Sequence, residues 1–250
     1  MTLNETEGLI LKSYSLAEAD KIVILLTKSE GLVRGVAKGA KRLKSRFGGS
    51  LEPFSIVHIT YYQKEERELV SITGIELIKS FFGVASNPYF LQHFAYLTEL
   101  IINFAPPHDP NEKLYRMAKI CLETAVYNSK RLEVIALYFE LWILKLGGFL
   151  PNWNWCENCR ASPKTGEITN LLVNFQLICS KCQKSNSKRQ ISEGQRNIFN
   201  IAQRLNPADF ILFAANQNED VKIVSLILKR IITNILGKEM PGEKFLLAKT

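Results

Sequence analysis

The sequence predicts an α+β chain of more than one domain: a small five-stranded β-barrel, then an all-helical domain carrying a four-cysteine hairpin. Three observations carry this. Through the first 80 residues, short β-branched and aromatic-rich runs alternate with Gly, Pro and charged turns. From Pro88 onward apolar residues recur at spacings of three and four, the period of a helix. Four of the five cysteines stand as two pairs, Cys156-Glu-Asn-Cys159 and Cys179-Ser-Lys-Cys182, with 19 residues between the pairs.

Strands are expected over 8–14, 21–27, 32–38, 55–62 and 68–76, with Glu30-Gly31 as the turn between the second and third. No helical pattern long enough for a crossover separates them, so a small closed barrel is the expected arrangement. Residues 39–53, rich in Gly, Lys, Arg and Ser, read as a long loop between the third and fourth strands. Phe90, Leu91, Phe94, Leu97, Ile101 and Phe104 mark a first helix that Pro106-Pro107 ends. Asn111 is placed to cap a second helix running to about residue 128. A third, over 131–146, carries Leu132, Ile135, Phe139, Trp142, Ile143 and Leu146 on one face and Leu137, Leu141 and Leu144 elsewhere, so it is expected to be central. Gly147-Gly148 stops it. Ser192 with Gln195 forms a capping box for a helix to about 205. A last helix over 221–236 turns Val224, Ile227, Leu228, Ile231 and Ile235 inward, and 237–250 reads as a loose tail. The expected domains are 1–80 for the barrel, 81–152 with 191–240 for the helical part, and 153–190 for the inserted hairpin.

The spacing C-x2-C-x19-C-x2-C is that of a tetrahedral four-thiolate zinc site, with Cys156, Cys159, Cys179 and Cys182 as ligands of one structural ion. A closed site leaves no position for water or substrate, so it stabilises a fold and does no chemistry. Two disulfides would suit a secreted chain, but the start, Met1-Thr-Leu-Asn-Glu-Thr-Glu-Gly8, is polar and has no signal-peptide character. A redox dithiol is expected as a single CxxC beside a βαβ pattern, which is missing; four-cysteine iron–sulfur ligation stays open as an alternative. Cys121, among helix formers, reads as a small buried residue.

The chain has 250 residues, 46% of them hydrophobic and 22% charged, with a formal net charge of +8, a composition that fits a globular intracellular protein with a polyanionic partner. No apolar run reaches membrane-span length, since residues 132–150 are broken by Glu133, Glu140, Lys145 and Gly147-Gly148. Arg34, Lys38, Lys41, Arg42, Lys44 and Arg46 form a group with no intervening acid. A second group, Lys181, Lys184, Lys188 and Arg189, follows the second cysteine pair. Neither lies on an amphipathic helix, so a membrane surface is the weaker partner.

The first group can neutralise several phosphates with release of condensed counterions, and Gly35, Gly39, Gly48 and Gly49 flank it with backbone free to approach a sugar–phosphate chain. Phe47, Phe54, Tyr61 and Tyr62 are the nearby aromatics for base stacking, although strand alternation assigns Phe54 and one of the two tyrosines to the core. Five-stranded barrels commonly bind oligonucleotides, which strengthens the loop as a contact. Catalytic patterns are missing: there is no GxxxxGK[ST], GxSxG or HExxH, His58, His93 and His108 are scattered, and Glu65-Glu66 reads as a solvated turn. The expectation is a protein that is not an enzyme.

The order of parts resembles the RecO family of bacterial recombination mediators. The resemblance rests on Gly8-Leu-Ile-Leu, the Gly39-Ala-Lys-Arg basic loop, Phe47-Gly-Gly-Ser-Leu-Glu-Pro-Phe54, and Leu146-Gly-Gly-Phe-Leu-Pro151 just before Cys156, and it runs from about residue 7 to 236. It implies an N-terminal OB-fold, sequence-independent binding of single- and double-stranded DNA, annealing of complementary strands, and help in loading recombinase on coated single strands in the RecF pathway. The partners it implies are RecR and the C-terminal tail of the single-stranded-DNA-binding protein, in a cytoplasmic, nucleoid-associated setting. Two other readings of the residues stand beside it: an RNA-binding ribosome or transcription accessory factor, since OB barrels and zinc hairpins serve RNA equally well, and a scaffold whose positive charge is incidental.

Overall fold

The computed structural model describes residues 2–64, 68–183 and 189–240. Strands β1 (Thr2–Leu16), β2 (Asp20–Thr27), β3 (Gly31–Ala37), β4 (Ser55–Gln63) and β5 (Val70–Ser80) close into an OB-like barrel in the order β1-β2-β3-β5-β4. The first strand is longer than its apolar run predicts. Its first half, from Thr2 to Leu9, pairs with β4, while Gly8 to Leu16 pairs with β2, so one strand serves two neighbours across an irregularity between Ile10 and Lys12. The polar stretch Thr2 to Glu7 is strand because β4 offers it a ladder, which hydrophobic alternation does not reveal.

Closure is made by a short parallel pairing of β3 with β5. At that seam Gly35 lies opposite Val70, and a Cβ there would come within 2.7 Å of the Ile72 side chain. Gly35 therefore serves close strand approach. This corrects its expected place beside a bound backbone. The barrel core holds Ile10, Val23, Leu25, Val33, Val57, Ile59, Tyr61, Val70 and Ile72, joined by Ala40, Phe47 and Leu51 from the β3–β4 loop.

One compact unit, Met1–Ser129, comprises the barrel with helices α1 (Phe82–Ala85), α2 (Pro88–Phe104) and α3 (Glu112–Tyr127). Asn87 caps α2 with Pro88 in its first turn, and Asn111 caps α3 by accepting from the Leu114 amide at 3.0 Å. Phe54 packs edge-on to Phe90 at 6.2 Å and to Phe94 at 6.0 Å, fastening the start of β4 to α2. Glu7 of β1 accepts from Tyr115 and Lys119 of α3, each at 2.6 Å. Burial opposes ionisation of Glu7, but these two donors and the Lys119 and Lys28 charges outweigh it and hold its carboxyl below the usual range. Lys12 pairs with Glu99 of α2. The turn into β3 needs Gly31, with φ of +66°, because a Cβ there would stand 2.0 Å from the carbonyl oxygen of Asp109.

The second unit, Lys130–Thr250, is built on α4 (Leu132–Leu146). Eleven of its 15 residues are buried, among them one charge: Glu140 meets Lys229 at 3.0 Å and Ser225 at 3.0 Å. Helices α5 (Glu193–Ile201), α6 (Pro207–Phe213) and α7 (Asn218–Leu236) complete it. The capping box at Ser192 and Gln195 is present, but α5 stops at Ile201, short of the expected 205. Asn206 then caps α6, which the sequence reading missed, by accepting from the Asp209 amide at 3.0 Å. Arg131 donates to the carbonyls of Ala214 and Ala215 just after α6. On α7, Val224, Leu228 and Ile231 face the core as expected, whereas Ile227 is half-buried and Ile235 is exposed. Met240, in the expected loose tail, is buried; residues 241–250 lie outside the described part.

Between α4 and α5 a small sheet of β6 (Thr169–Leu171), β7 (Leu177–Ile178) and β8 (Gln190–Ile191) runs in the order β7-β6-β8. Trp153, fully buried, stacks on Phe199 of α5 at 4.0 Å and donates to the Phe175 carbonyl at 3.0 Å. Arg196 of α5 donates to Thr169 and to the Ile191 carbonyl, both at 3.1 Å. The cysteine segment is thereby seated on α5. No helix among the described residues is long and apolar enough to cross a membrane.

Candidate functional site

The β3–β4 connection is a chain of turns held at both ends. The amide of Gly39 donates to Asp20 at 2.7 Å and that of Lys41 to the Ala19 carbonyl at 2.8 Å. The amides of Arg42 and Ser45 then close successive turns on Gly39 and Arg42, and Phe47 returns the chain to the barrel core. Lys38, Lys41, Arg42, Lys44 and Arg46 are exposed, and Arg34 on β3 is half-buried. None of the six forms a salt bridge among the described residues. The Arg46 guanidinium lies over the Phe47 ring at 4.9 Å, and Lys41 reaches the Ala17 carbonyl at 3.4 Å. A concentrated group of cations with no ion pair among the described residues is a focus for anions.

Of the four nearby aromatics, Phe54 and one of the two tyrosines are buried as expected, whereas Phe47 differs. Phe47 and Tyr61 are in the barrel core, and burial pushes the Tyr61 phenol up to about 12. Phe54 packs on α2, so only Tyr62 of the four keeps partial exposure. Phe47 was readable as loop by its Gly neighbours, yet a loop this long needs an apolar anchor, and Phe47 supplies it. The sequence reading passed over Leu43, which lies exposed among the cations. His58 and His108 are exposed, while His93 is buried with its ring 2.9 Å from the Tyr89 carbonyl oxygen.

The second basic group is only partly visible: Lys181 and Arg189 are exposed, and Arg189 lies 5.1 Å from the Phe175 ring, while Lys184 and Lys188 fall outside the described residues, as do Glu65 and Glu66.

The four paired cysteines converge. Their sulfur atoms all lie within 4.8 Å of one another, with Cys156 and Cys179 buried, Cys182 intermediate and Cys159 exposed. A metal–sulfur bond of about 2.3 Å in a tetrahedron puts sulfurs about 3.8 Å apart, and Cys159 and Cys179 stand at 3.8 Å. Burial opposes ionisation of Cys156, but the amides of Cys159, Cys179 and Asn158 outweigh it and bring its thiol down to about 6. At Cys182 a hydrogen bond with Asn158 favours the thiolate, yet the neighbouring Cys159 and Cys179 outweigh that and push it up to about 11. Thiols packed this closely ionise together only around a cation. The donor set fits a structural metal, zinc among metals, and leaves no ligand position for a substrate. Cys121 is separate, fully buried, its thiol pushed up by burial.

Comparison with known proteins agrees with this architecture. Residues 1–81 match the family described as "Recombination protein O N terminal" and residues 91–242 the one described as "Recombination protein O C terminal". Among similar proteins, the DNA repair protein RecO of Koribacter versatilis is 32% identical over 157 residues, covering 63% of this chain and 64% of that protein. The DNA repair protein RecO of Dehalococcoides mccartyi is 25% identical over 244 residues, covering 94% and 91%. That of Thermodesulfovibrio yellowstonii is 33% identical over 182 residues, covering 72% and 70%. With both halves matched in order around an OB-like barrel and a helical unit bearing four clustered cysteines, the chain belongs to the RecO family of DNA repair proteins.

Proposed function

We propose that this chain is a recombination mediator that binds single- and double-stranded DNA without sequence preference and anneals complementary strands. The observation that carries the proposal is the loop over 34–46: six cations, no acid, no salt bridge among the described residues, on the rim of an OB-like barrel. Cations that meet phosphates read charge and spacing, and phosphates carry no base code, so affinity is uniform across sequences and falls steeply with salt. Annealing by such a surface needs no catalytic group and no nucleotide. Neutralising two backbones at once lowers their repulsion and raises their local concentration.

In this reading Cys156, Cys159, Cys179 and Cys182 hold one structural zinc, which fixes the small sheet against α5. We take Lys181 and Arg189, both exposed, as a second contact for phosphates. The family membership supports partnership with RecR and with the tail of the single-stranded-DNA-binding protein, recombinase loading on coated strands, and a cytoplasmic location at the nucleoid. The test is annealing of two labelled complementary oligonucleotides without nucleotide, repeated with RNA strands. The proposal expects acceleration on DNA and a gain when the single-stranded-DNA-binding protein coats the strands. No acceleration on DNA, with tight binding to RNA, would replace it by an RNA-accessory role.

A further inference from the structure

We infer that Leu43 is an apolar wedge that enters between neighbouring bases of a single strand whose phosphates are held by Lys41, Arg42, Lys44 and Arg46. The inference rests on the reading of this loop as the DNA contact and adds how the bases are handled.

Leu43 has a relative exposure of 105%, the highest of the exposed large hydrophobic residues among those described. A lone exposed leucine is ordinary on a protein surface. What sets this one apart is its support and its company. Ala40 and Phe47, on either side, are buried in the barrel core, so the six residues between them are a short arch with both feet fixed. The arch is shaped by backbone hydrogen bonds from the Lys41, Arg42 and Ser45 amides and by the Ser45 hydroxyl accepting from the Phe47 amide at 3.3 Å. None of these bonds involves the Leu43 side chain, which is held away from the barrel at no gain to the fold.

Its immediate surroundings are cations. An apolar protein partner would need a contiguous apolar patch, and among Lys41, Arg42, Lys44, Ser45 and Arg46 there is none. A nucleic-acid strand offers the matching pair of surfaces, charged phosphates outside and apolar base faces inside. Aliphatic wedges of this kind separate stacked bases. Of the nearby aromatics only Tyr62 keeps partial exposure, and Phe47, the one inside the loop, is buried, so the leucine takes the place at the base faces that Phe47 leaves. A separated pair of bases presents its pairing edges to an incoming strand. Opening a single strand costs less than opening a duplex step, so the wedge favours single strands and frayed ends.

The test uses a single-stranded oligonucleotide with 2-aminopurine among adenines, whose fluorescence rises on unstacking. Four full-length proteins are compared: wild type, Leu43→Ala, Leu43→Met, and the Lys41/Arg42/Lys44/Arg46→Glu variant, each first shown by circular dichroism to be folded. Wild type and Leu43→Met are expected to raise the fluorescence. Leu43→Ala is expected to lose the rise and to bind about tenfold more weakly, the worth of one leucine burial, with its salt slope unchanged. If the charge-reversed variant fails to bind while Leu43→Ala matches wild type in affinity and fluorescence, the wedge is wrong and the loop reading stands. If the charge-reversed variant binds as wild type does, the loop reading falls and the wedge with it.

Discussion

Replacing Lys229 with Met tests whether the second unit is held by a desolvated ion pair. Lys229 Nζ lies 3.0 Å from Glu140 Oε1 and 2.6 Å from Ser225 Oγ, and Ser225 Oγ donates to Glu140 Oε2 at 3.0 Å. The Glu140 side chain has no exposed surface and that of Lys229 is 8% exposed. The pair links α4 to α7 where water cannot replace a missing partner. Methionine fills much the same volume without the charge, so the change isolates electrostatics from cavity formation. A carboxylate that loses its counter-charge in such a place costs about 3–5 kcal/mol. For a unit of this size that is a fall in Tm of about 12–20 °C. Differential scanning calorimetry reads it, with Glu140→Gln/Lys229→Met as the second arm: removing both charges should restore most of the loss. DNA binding below the melting temperature should be unchanged, because the basic loop belongs to the other unit. A single-variant loss under about 1 kcal/mol, the range of exposed pairs, would refute the argument.

Three further outcomes are expected. Chelation of metal, or Cys179→Ser, should release one equivalent of zinc and lower the Tm of the second unit by about 10 °C or more, given folding energies on the order of 10 kcal/mol at structural zinc sites; metal analysis finding none in protein purified without chelator contradicts the assignment. Gly31→Ala should destabilise the first unit by about 2–4 kcal/mol, since it adds left-handed strain to a Cβ at 2.0 Å from the Asp109 carbonyl oxygen; urea denaturation measures it. Because the folded pKa of Glu7 lies below its ordinary value of 4.5, its contribution is present above that pH and is lost as pH falls through the lower folded value. Glu7→Gln should therefore flatten the acid limb of the stability profile, and an unchanged limb would count against the Glu7–Tyr115–Lys119 link.

Much of this architecture was legible because local signals and tertiary packing agree. The strands β2, β3 and β4, the caps at Asn111 and Ser192, and the central α4 follow from β-branched runs, side-chain capping and all-round apolarity. Convergence of the four cysteines follows from their spacing. What was not legible depends on partners distant in sequence. The polar start of β1 becomes strand only beside β4, and Gly35 has its role only opposite Val70 and Ile72. In sequence Glu140 is only a charge that breaks an apolar run, and its counterpart Lys229 lies far along the chain. Asn206-Pro-Ala-Asp209 carries a readable cap signal for α6, and α5 ends at Ile201, before the expected 205. In the loop, composition identified the cations, whereas which apolar side chain goes in and which stays out, Phe47 against Leu43, is decided by the barrel's need for a filled core.

The central claim is that DNA lies on the loop over 34–46. The most direct measurement is binding of a fluorescent single-stranded oligonucleotide across a salt series, wild type against the Lys41/Arg42/Lys44/Arg46→Glu variant. Each phosphate contact on a single strand contributes about 0.7 to the slope of log affinity against log salt. The account predicts steeply salt-dependent wild-type binding, and a folded variant whose affinity is lost at every sequence and whose slope is flatter by about 3. Equal affinity and equal slope for the two proteins would contradict it.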